Sequence, residues 1–255
     1  MAVNHPAPTF ADIYDAVVGD DYQEYWWRGF ERFVADHQVE FSTVCDVACG
    51  TGRTALRLAE QGKQVTGTDL SADMIRVARA HCELAGIQVD FTVQPMQELS
   101  LPEPVDLIVC AYDALNALPS EDLLRRTLGG FSAHLNPGGH VVCDMATIRH
   151  LCEDWGSDEI RTDDPYPSVW HSVWDDDRGM LSLHLTVAVP TGGGICRVTE
   201  RVCEYGYSQA LIEDAIAAAG LVIQDRRDLI PWTPGSDQGD RWFYLLQKPQ
   251  GVTLP

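Results

Sequence analysis

The sequence predicts an α/β protein built on a doubly wound, mainly parallel seven-stranded sheet, with a helical segment ahead of it and an antiparallel β insert towards its end. Three observations carry this. Apolar runs flanked by turn residues alternate with segments of helical period over about the first 150 residues, the pattern of parallel strands joined by crossover helices. Gly50 and Gly52 fall between the first apolar run and the helix that follows, where a strand must turn tightly into a helix. After Asp144 the alternation gives way to three runs of β character.

The elements follow in order. Phe10, Ile13, Tyr14 and Val17, then Tyr25, Trp26, Phe30 and Phe33, recur at helical spacing on either side of Gly19-Asp20-Asp21, so two helices joined by a short turn precede the sheet. Strands are expected near 42–47, 64–68, 88–93, 105–110 and 139–145, with helices near 53–61, 71–85 and 120–135. Asn136-Pro137-Gly138-Gly139 reads as the turn before the fifth strand. Residues 146–167 are rich in Asp, Pro, Trp and Arg without clear period. Three β-like runs at 168–174, 181–189 and 195–205 then form an antiparallel set. Ser208 caps a helix that ends at Gly220, and two strands joined by a Pro/Gly-rich loop close the fold. The expected organisation is a helical lid over 1–40, a sheet domain made of 41–145 and 206–250, and a covering insert over 146–205.

A chain of 255 residues holds one sizeable core with an insert. Its formal charge of −20, with no Lys/Arg cluster to track phosphates, argues against nucleic acid and anionic membranes as partners. No apolar run reaches the roughly 18 residues needed to span a bilayer. The first nine residues lack the flanks of a secretory signal, so a cytoplasmic location is expected. The eight cysteines contain no C-x-x-C pair and read as buried free thiols, and no two of the eight histidines share an H-x-x-x-H spacing, so no metal is expected. The sequence leaves the oligomeric state open, a homo-oligomer included.

The stretch from Val44 to Ser71 narrows the ligand. A dinucleotide loop would have a third glycine where Ala55 stands, and Asp46 at the loop's start would repel a pyrophosphate. The Gly-Lys-Ser/Thr of a P-loop is also missing. Asp69 ends the next strand, 23 residues after Asp46, where doubly wound sheets present a carboxylate to ribose hydroxyls. An adenosine ligand without a pyrophosphate and with a positive group meets both conditions, and S-adenosylmethionine is such a ligand.

The run "DVACGTG" followed by "VTGTDLSADMIRVAR", and then "VQPMQEL", "VDLIVCAYDALNAL" and "HLNPGGHVVCDM" in order, resembles the motifs of class I S-adenosylmethionine-dependent methyltransferases, over nearly the whole chain. Ala48, the strand "LHLTVAVP" and the closing "RWFYLLQKP" are most similar to the glycine N-methyltransferase and antibiotic-sugar N-methyltransferase group. The resemblance implies a Rossmann-like domain that binds S-adenosylmethionine, leaving S-adenosylhomocysteine after transfer to nitrogen or oxygen of a small molecule in natural-product biosynthesis. A protein that binds the cofactor without methylating is the alternative.

By the same resemblance, Asp46 fixes the glycine loop near the cofactor's amino group, and Ala48, Gly50 and Gly52 let the backbone reach its methionine part. Asp69 takes the ribose hydroxyls, and Leu70 and Met74 lie against the adenine. Pro95 stands where the family has an acid or amide for the adenine amine, which leaves Gln97, beside Met96, as the replacement. Ala111 completes the cofactor set. Tyr14 and Tyr22 match lid tyrosines near the sulfonium, or else pack as ordinary aromatics. Trp26, Tyr112, Asn116 and Trp170 are expected walls of the acceptor site. Trp26 and Trp27 are adjacent, so one of them is expected in the core. Asp113 and Tyr14 are the expected catalytic pair, Asp113 holding an amine or taking a proton, with a loop-bonding role as its alternative. Ala146 stands where glycine N-methyltransferases carry a carboxylate-binding arginine, so glycine is an unlikely acceptor. Arg149 nearby leaves room for another acid. His171 and His184 are read as structural, and Asp175–Asp177 as a solvated hairpin turn.

Overall fold

The computed structural model describes residues 7–155, 158–162, 165–229 and 241–251, without the side chains of residues 20–22 and 228–229. The expected loop between the last two strands and the side chain of Tyr22 therefore lie outside the described residues.

The chain begins with α1 (Phe10–Val18) and α2 (Asp20–Asp36) and enters the sheet at β1 (Thr43–Val47). Then follow α3 (Arg53–Glu60), β2 (Gln64–Asp69), α4 (Ala72–Ala85), β3 (Asp90–Val93), β4 (Val105–Cys110), α5 (Glu121–Ala133) and β5 (Leu135–Ala146). A second sheet is made of β6 (Glu159–Arg161), β7 (Ser168–Asp175), β8 (Met180–Thr191) and β9 (Gly194–Tyr205), before α6 (Gln209–Ala218), β10 (Val222–Leu229) and β11 (Arg241–Gln247) return to the first. Side-chain caps start the helices where serine was placed for it: Ser71 Oγ accepts from Met74 N at 3.2 Å, and Ser208 Oγ from Leu211 N at 3.3 Å.

The large sheet has seven strands in the order β10-β11-β5-β4-β1-β2-β3. It is parallel except for β11, which runs antiparallel to β5 and β10. Alternate residues feed two cores on its two faces. On β4, Leu107 and Val109 join the aromatic side chains of α2, whereas Ile108 and Cys110 join α5 and α6. The chain leaves β1 for β2 on one side and returns to β4 on the other. This is the switch point at whose carboxyl end such sheets bind ligands.

Two expectations need correction. Asn136–Gly139 does not precede the fifth strand but interrupts it. Val105 pairs with Leu135 and Leu107 with His140, so the extra residues bulge out of register within β5. Trp26 and Trp27 are both core residues, at 1% and 6% exposure. Consecutive helix positions can both be covered because Phe243 of β11 packs on Trp26 while the Arg57 guanidinium of α3 lies over Trp27, which also packs on Phe30 of its own helix. The second sheet also gains an edge strand, β6, which the aperiodic segment before it did not suggest.

Among the described residues no helix is long and apolar enough to cross a membrane, and no group of three or more His, Cys, Asp or Glu could hold a metal ion.

Candidate active site

The loop after β1 turns on a run of left-handed residues, with φ of 56° at Ala48, 53° at Gly50 and 78° at Gly52. At Gly50 a Cβ would meet no atom within 4 Å, so the backbone faces open space there. Gly52, the N-cap of α3, is required for packing instead: a Cβ would lie 2.7 Å from Ala78 Cβ and 3.1 Å from Phe91 Cζ. Gly52→Ala is expected to destabilise the fold by about 2–4 kcal/mol, the sum of a strained left-handed residue and overpacking. The midpoint of urea denaturation reads this loss, and an unchanged midpoint would contradict it.

Asp69 frames the loop from β2. Its Oδ2 accepts from Gly50 N at 2.9 Å and its Oδ1 from Ser71 N at 2.8 Å. Burial raises its carboxyl above the ordinary range, and these amide donors, with Leu70's, oppose the rise. Asp46 lies beneath the loop at 1% exposure, where burial pushes its carboxyl up to about 8. Its Oδ2 has no hydrogen-bond partner among the described residues.

Above this loop lies a cavity of about 530 Å³. Seven of the expected cofactor residues line it: Tyr14, Ala48, Gly50, Asp69, Leu70, Met74 and Ala111. Leu70, 71% exposed, forms an apolar lip that an adenine ring would cover. Helix α1 closes over the loop, with Thr51 Oγ1 donating to Asp15 at 2.7 Å and Arg76 paired to Asp12 at 2.7 Å. Asp46 and Gly52 support the loop from behind rather than line the cavity. Met96 packs against the core on the α5 face, and neither it nor Gln97 lines the cavity.

A second cavity, of about 450 Å³, lies between α1, the end of β4 and the smaller sheet. Phe10, Tyr14, Tyr112 and Val202 line both cavities. Of the expected acceptor residues, Tyr112, Asp113 and Trp170 line the second one. Tyr112 and Asp113 have φ of 60° and 51°, a left-handed pair that costs energy in non-glycine residues and turns the chain sharply at the end of β4. Burial, with Asp113 and Tyr112 close by, raises the Tyr14 hydroxyl well above its ordinary value, so it stays a protonated hydrogen-bond donor.

Trp26 and Asn116 have other positions. Trp26 Nε1 donates to Asp144 Oδ1 at 2.7 Å inside the core. Asn116 is fully buried and joins the two sheets: its Nδ2 donates to the carbonyls of Ala146 and Tyr205 at 3.1 and 3.0 Å, and its Oδ1 accepts from Ala146 N at 3.0 Å. His171 and His184 are exposed on the outer face of the smaller sheet, their rings 6.3 Å apart. Arg149 is paired with Asp154 at 3.1 Å.

Sequence reasoning missed the charged cluster behind the second cavity. Asp144, with no exposure, accepts from Trp26, from Asp113 N at 3.1 Å and from Arg241 Nη1 at 2.9 Å. Arg241 Nη2 lies 2.6 Å from Asp113 Oδ2. Glu204 of β9, 6% exposed, lines the cavity beside them. One guanidinium thus faces three buried acids. Burial raises the Asp144 carboxyl although Arg241 pulls the other way, and it raises Glu204 further, with Asp113 adding to the rise. An arginine opening an otherwise apolar strand was the one sequence signal for this cluster.

The residues present fit S-adenosylmethionine: a cradle open at Gly50, a carboxylate at Asp69 and an apolar lip at Leu70. Such a fold and loop define a class I nucleoside-dependent transferase. A methyltransferase-domain family model matches residues 44–139. The chain is 29% identical over 220 residues to a Streptomyces venezuelae dTDP-3-amino-3,4,6-trideoxy-alpha-D-glucopyranose N,N-dimethyltransferase, covering 84% of this chain and 90% of that one. It is 45% identical to a Xylella fastidiosa ubiquinone biosynthesis O-methyltransferase over 101 residues, only 38% of this chain and 39% of that one. The crystal structure of an S-adenosylmethionine-dependent methyltransferase from Clostridium acetobutylicum superposes with a TM-score of 0.83 at 26% identity, covering 94% of this chain and 98% of that one. Over residues 44–139 the chain matches the methyltransferase domain, and its fold is that of the S-adenosylmethionine-dependent methyltransferases.

Proposed function

We propose that the protein methylates the nitrogen of a small, largely apolar amine, in specialised biosynthesis. The observation that carries this reading is the meeting of the two cavities at Phe10, Tyr14, Tyr112 and Val202, which sets donor and acceptor spaces end to end. Nitrogen is favoured over oxygen by the acids of the second cavity, Asp113 and Glu204. Arg161 is the one cation among its described lining residues, and it lies over the Trp170 ring at 4.3 Å and pairs with Glu159 at 2.9 Å. A relative whose similarity spans most of both chains is named an N,N-dimethyltransferase, whereas the O-methyltransferase match stops at 38% of this chain. The net charge of −20 supports a neutral or cationic acceptor over a polyanion.

In this reading Asp69 holds the ribose, the backbone at Ala48–Gly50 admits the methionine part, and Leu70 with Met74 covers the base. Bound there, S-adenosylmethionine supplies a methyl group already activated by its sulfonium. The task left to the protein is to align nitrogen with that methyl and exclude water, and such positioning is worth up to about 7–11 kcal/mol of barrier. Tyr14, in both cavities, orients the groups that meet there, and Phe10, Tyr112, Trp155 and Trp170 wall the acceptor from water. The segments 1–40 and 146–205 act as lid and cover, since α1 and β9 furnish those shared walls.

A panel of apolar primary and secondary amines with isosteric phenols, incubated with S-adenosylmethionine, tests this reading. Release of S-adenosylhomocysteine is expected with amines, and release with phenols alone would overturn the choice of nitrogen.

A further inference from the structure

The Glu204 carboxyl faces the acceptor cavity from β9. It is more than nine-tenths buried, lines the acceptor cavity, and its Oε2 has no hydrogen-bond partner among the described residues. Burying an unpaired carboxylate costs several kcal/mol, so it persists where it is neutral or where a ligand supplies the counter-charge. Arg241 meets this need only in part: its charge attracts Glu204, but its contacts are with Asp113, 2.6 Å from Nη2, and Asp144, 2.9 Å from Nη1. Asp113 Oδ2 also lacks a hydrogen bond among the described residues, but it is ion-paired with that guanidinium, whereas Glu204 faces the cavity with its Oε2 unpartnered and is the acid left for a ligand.

The side chain is also held in place. Glu204 pairs with Leu181 across β8 and β9, and the next residue, Tyr205, is fastened through its carbonyl to Asn116 of the sheet domain. Glu200, Val202 and Glu204 share one face of β9 and line the two cavities in succession. A group on this strand is fixed relative to the junction at Tyr14.

We propose that Glu204 binds the acceptor's nitrogen and takes its proton, so that the acceptor is an apolar primary or secondary amine. This rests on the methyltransferase reading above and deepens it. An ammonium and Glu204 share one proton when they meet. Asp113 and Asp144 on one side and the apolar walls on the other place that proton on Glu204, leaving the nitrogen lone pair free, with Arg241 as the only opposing charge in the buried cluster. The lone pair forms the N–C bond as the S–C bond of the donor breaks and its electrons return to sulfur. Glu204 is neutral before the amine arrives, so the second proton passes to solvent on binding. After transfer the nitrogen leaves as a methylated ammonium, and Glu204 keeps the proton that the two shared. Atoms and charge balance with no other reactant.

The test is calorimetry on the protein saturated with S-adenosylhomocysteine, titrated with benzylamine, 2-phenylethylamine and N-methylbenzylamine and with the isosteric alcohols, in two buffers of different ionisation enthalpy. The wild type is expected to bind at least one amine with net release of a proton to the buffer, and to bind alcohols without release. Glu204→Gln is expected to weaken that amine about 10- to 100-fold, as for loss of a charge-assisted hydrogen bond, and to leave alcohol and S-adenosylhomocysteine affinities unchanged. Binding of no amine, amine binding without proton release, or equal weakening of amine and alcohol in Glu204→Gln would each overturn the proposal. The proton measurement needs only the wild type, so the test survives a variant that fails to fold. Failure of S-adenosylhomocysteine to bind the wild type would instead sink the reading beneath it, and this proposal with it.

Discussion

Arg241→Met is expected to destabilise the protein by about 3–5 kcal/mol, because it removes one partner of a buried ion cluster and leaves the others unpaired. Asp113, Asp144 and Glu204 are all at or below 7% exposure, and the guanidinium is the cation lodged among them. The loss depends on pH in a direction that can be worked out. Asp144 and Glu204 have folded-state values raised above the ordinary carboxylate range, so the folded form holds their protons more tightly than the unfolded form. Their contribution to stability is fully present below about pH 4, the unfolded range, and is lost as pH rises through the folded values. Removing Arg241 raises those values further. The gap between variant and wild type should therefore be widest near neutral pH and close as the acids protonate. Urea midpoints taken at about pH 5 and about pH 8 measure it, and a gap independent of pH would contradict this account of the cluster.

Asp69→Ala is expected to lose cofactor affinity while keeping the fold. The carboxylate is the group placed to receive both ribose hydroxyls, and charge-assisted hydrogen bonds are worth about 1.5–3 kcal/mol each. Two of them correspond to a loss of roughly 10²–10⁴ in affinity for S-adenosylhomocysteine. The same carboxylate also accepts from Gly50 N and Ser71 N, so the substitution loosens the cradle from β2. Stability changes less than binding, because burial of the charge, which raises the Asp69 value, is relieved at the same time. Asp69→Asn keeps one acceptor oxygen and should fall between wild type and alanine. Calorimetry paired with thermal melting separates the two effects. Equal affinity in Asp69→Ala and the wild type would remove Asp69 from the cofactor site.

Much of this architecture is legible in the sequence because it depends on period and on special backbone geometry. The strands β1 and β4 are short apolar runs bounded by turn residues, and Gly50 and Gly52 mark a turn that few other residues could make. Asp69 is legible from its distance to that turn. Features that depend on tertiary neighbours are not. On β9, Arg197, Thr199 and Arg201 alternate with Val198, Glu200 and Val202, so both faces look polar and the inward phase that carries Glu204 cannot be read. Asn116 looks like a ligand-binding amide until the carbonyls of Ala146 and Tyr205 are found at its Nδ2. Trp26 looks like a cavity wall until Asp144 is found at its Nε1. The proline and glycines of Asn136–Gly139 signal a break in regular structure, and only pairing with β4 shows it to be a bulge inside a strand rather than a turn before it.

The central claim, that the cradle of Ala48–Gly52 and Asp69 takes S-adenosylmethionine, is tested most directly by calorimetric titration of the wild-type protein with S-adenosylhomocysteine. Saturable binding at one site per chain, lost in Asp69→Ala, is the predicted result. No heat of binding, or binding that Asp69→Ala leaves intact, would contradict it.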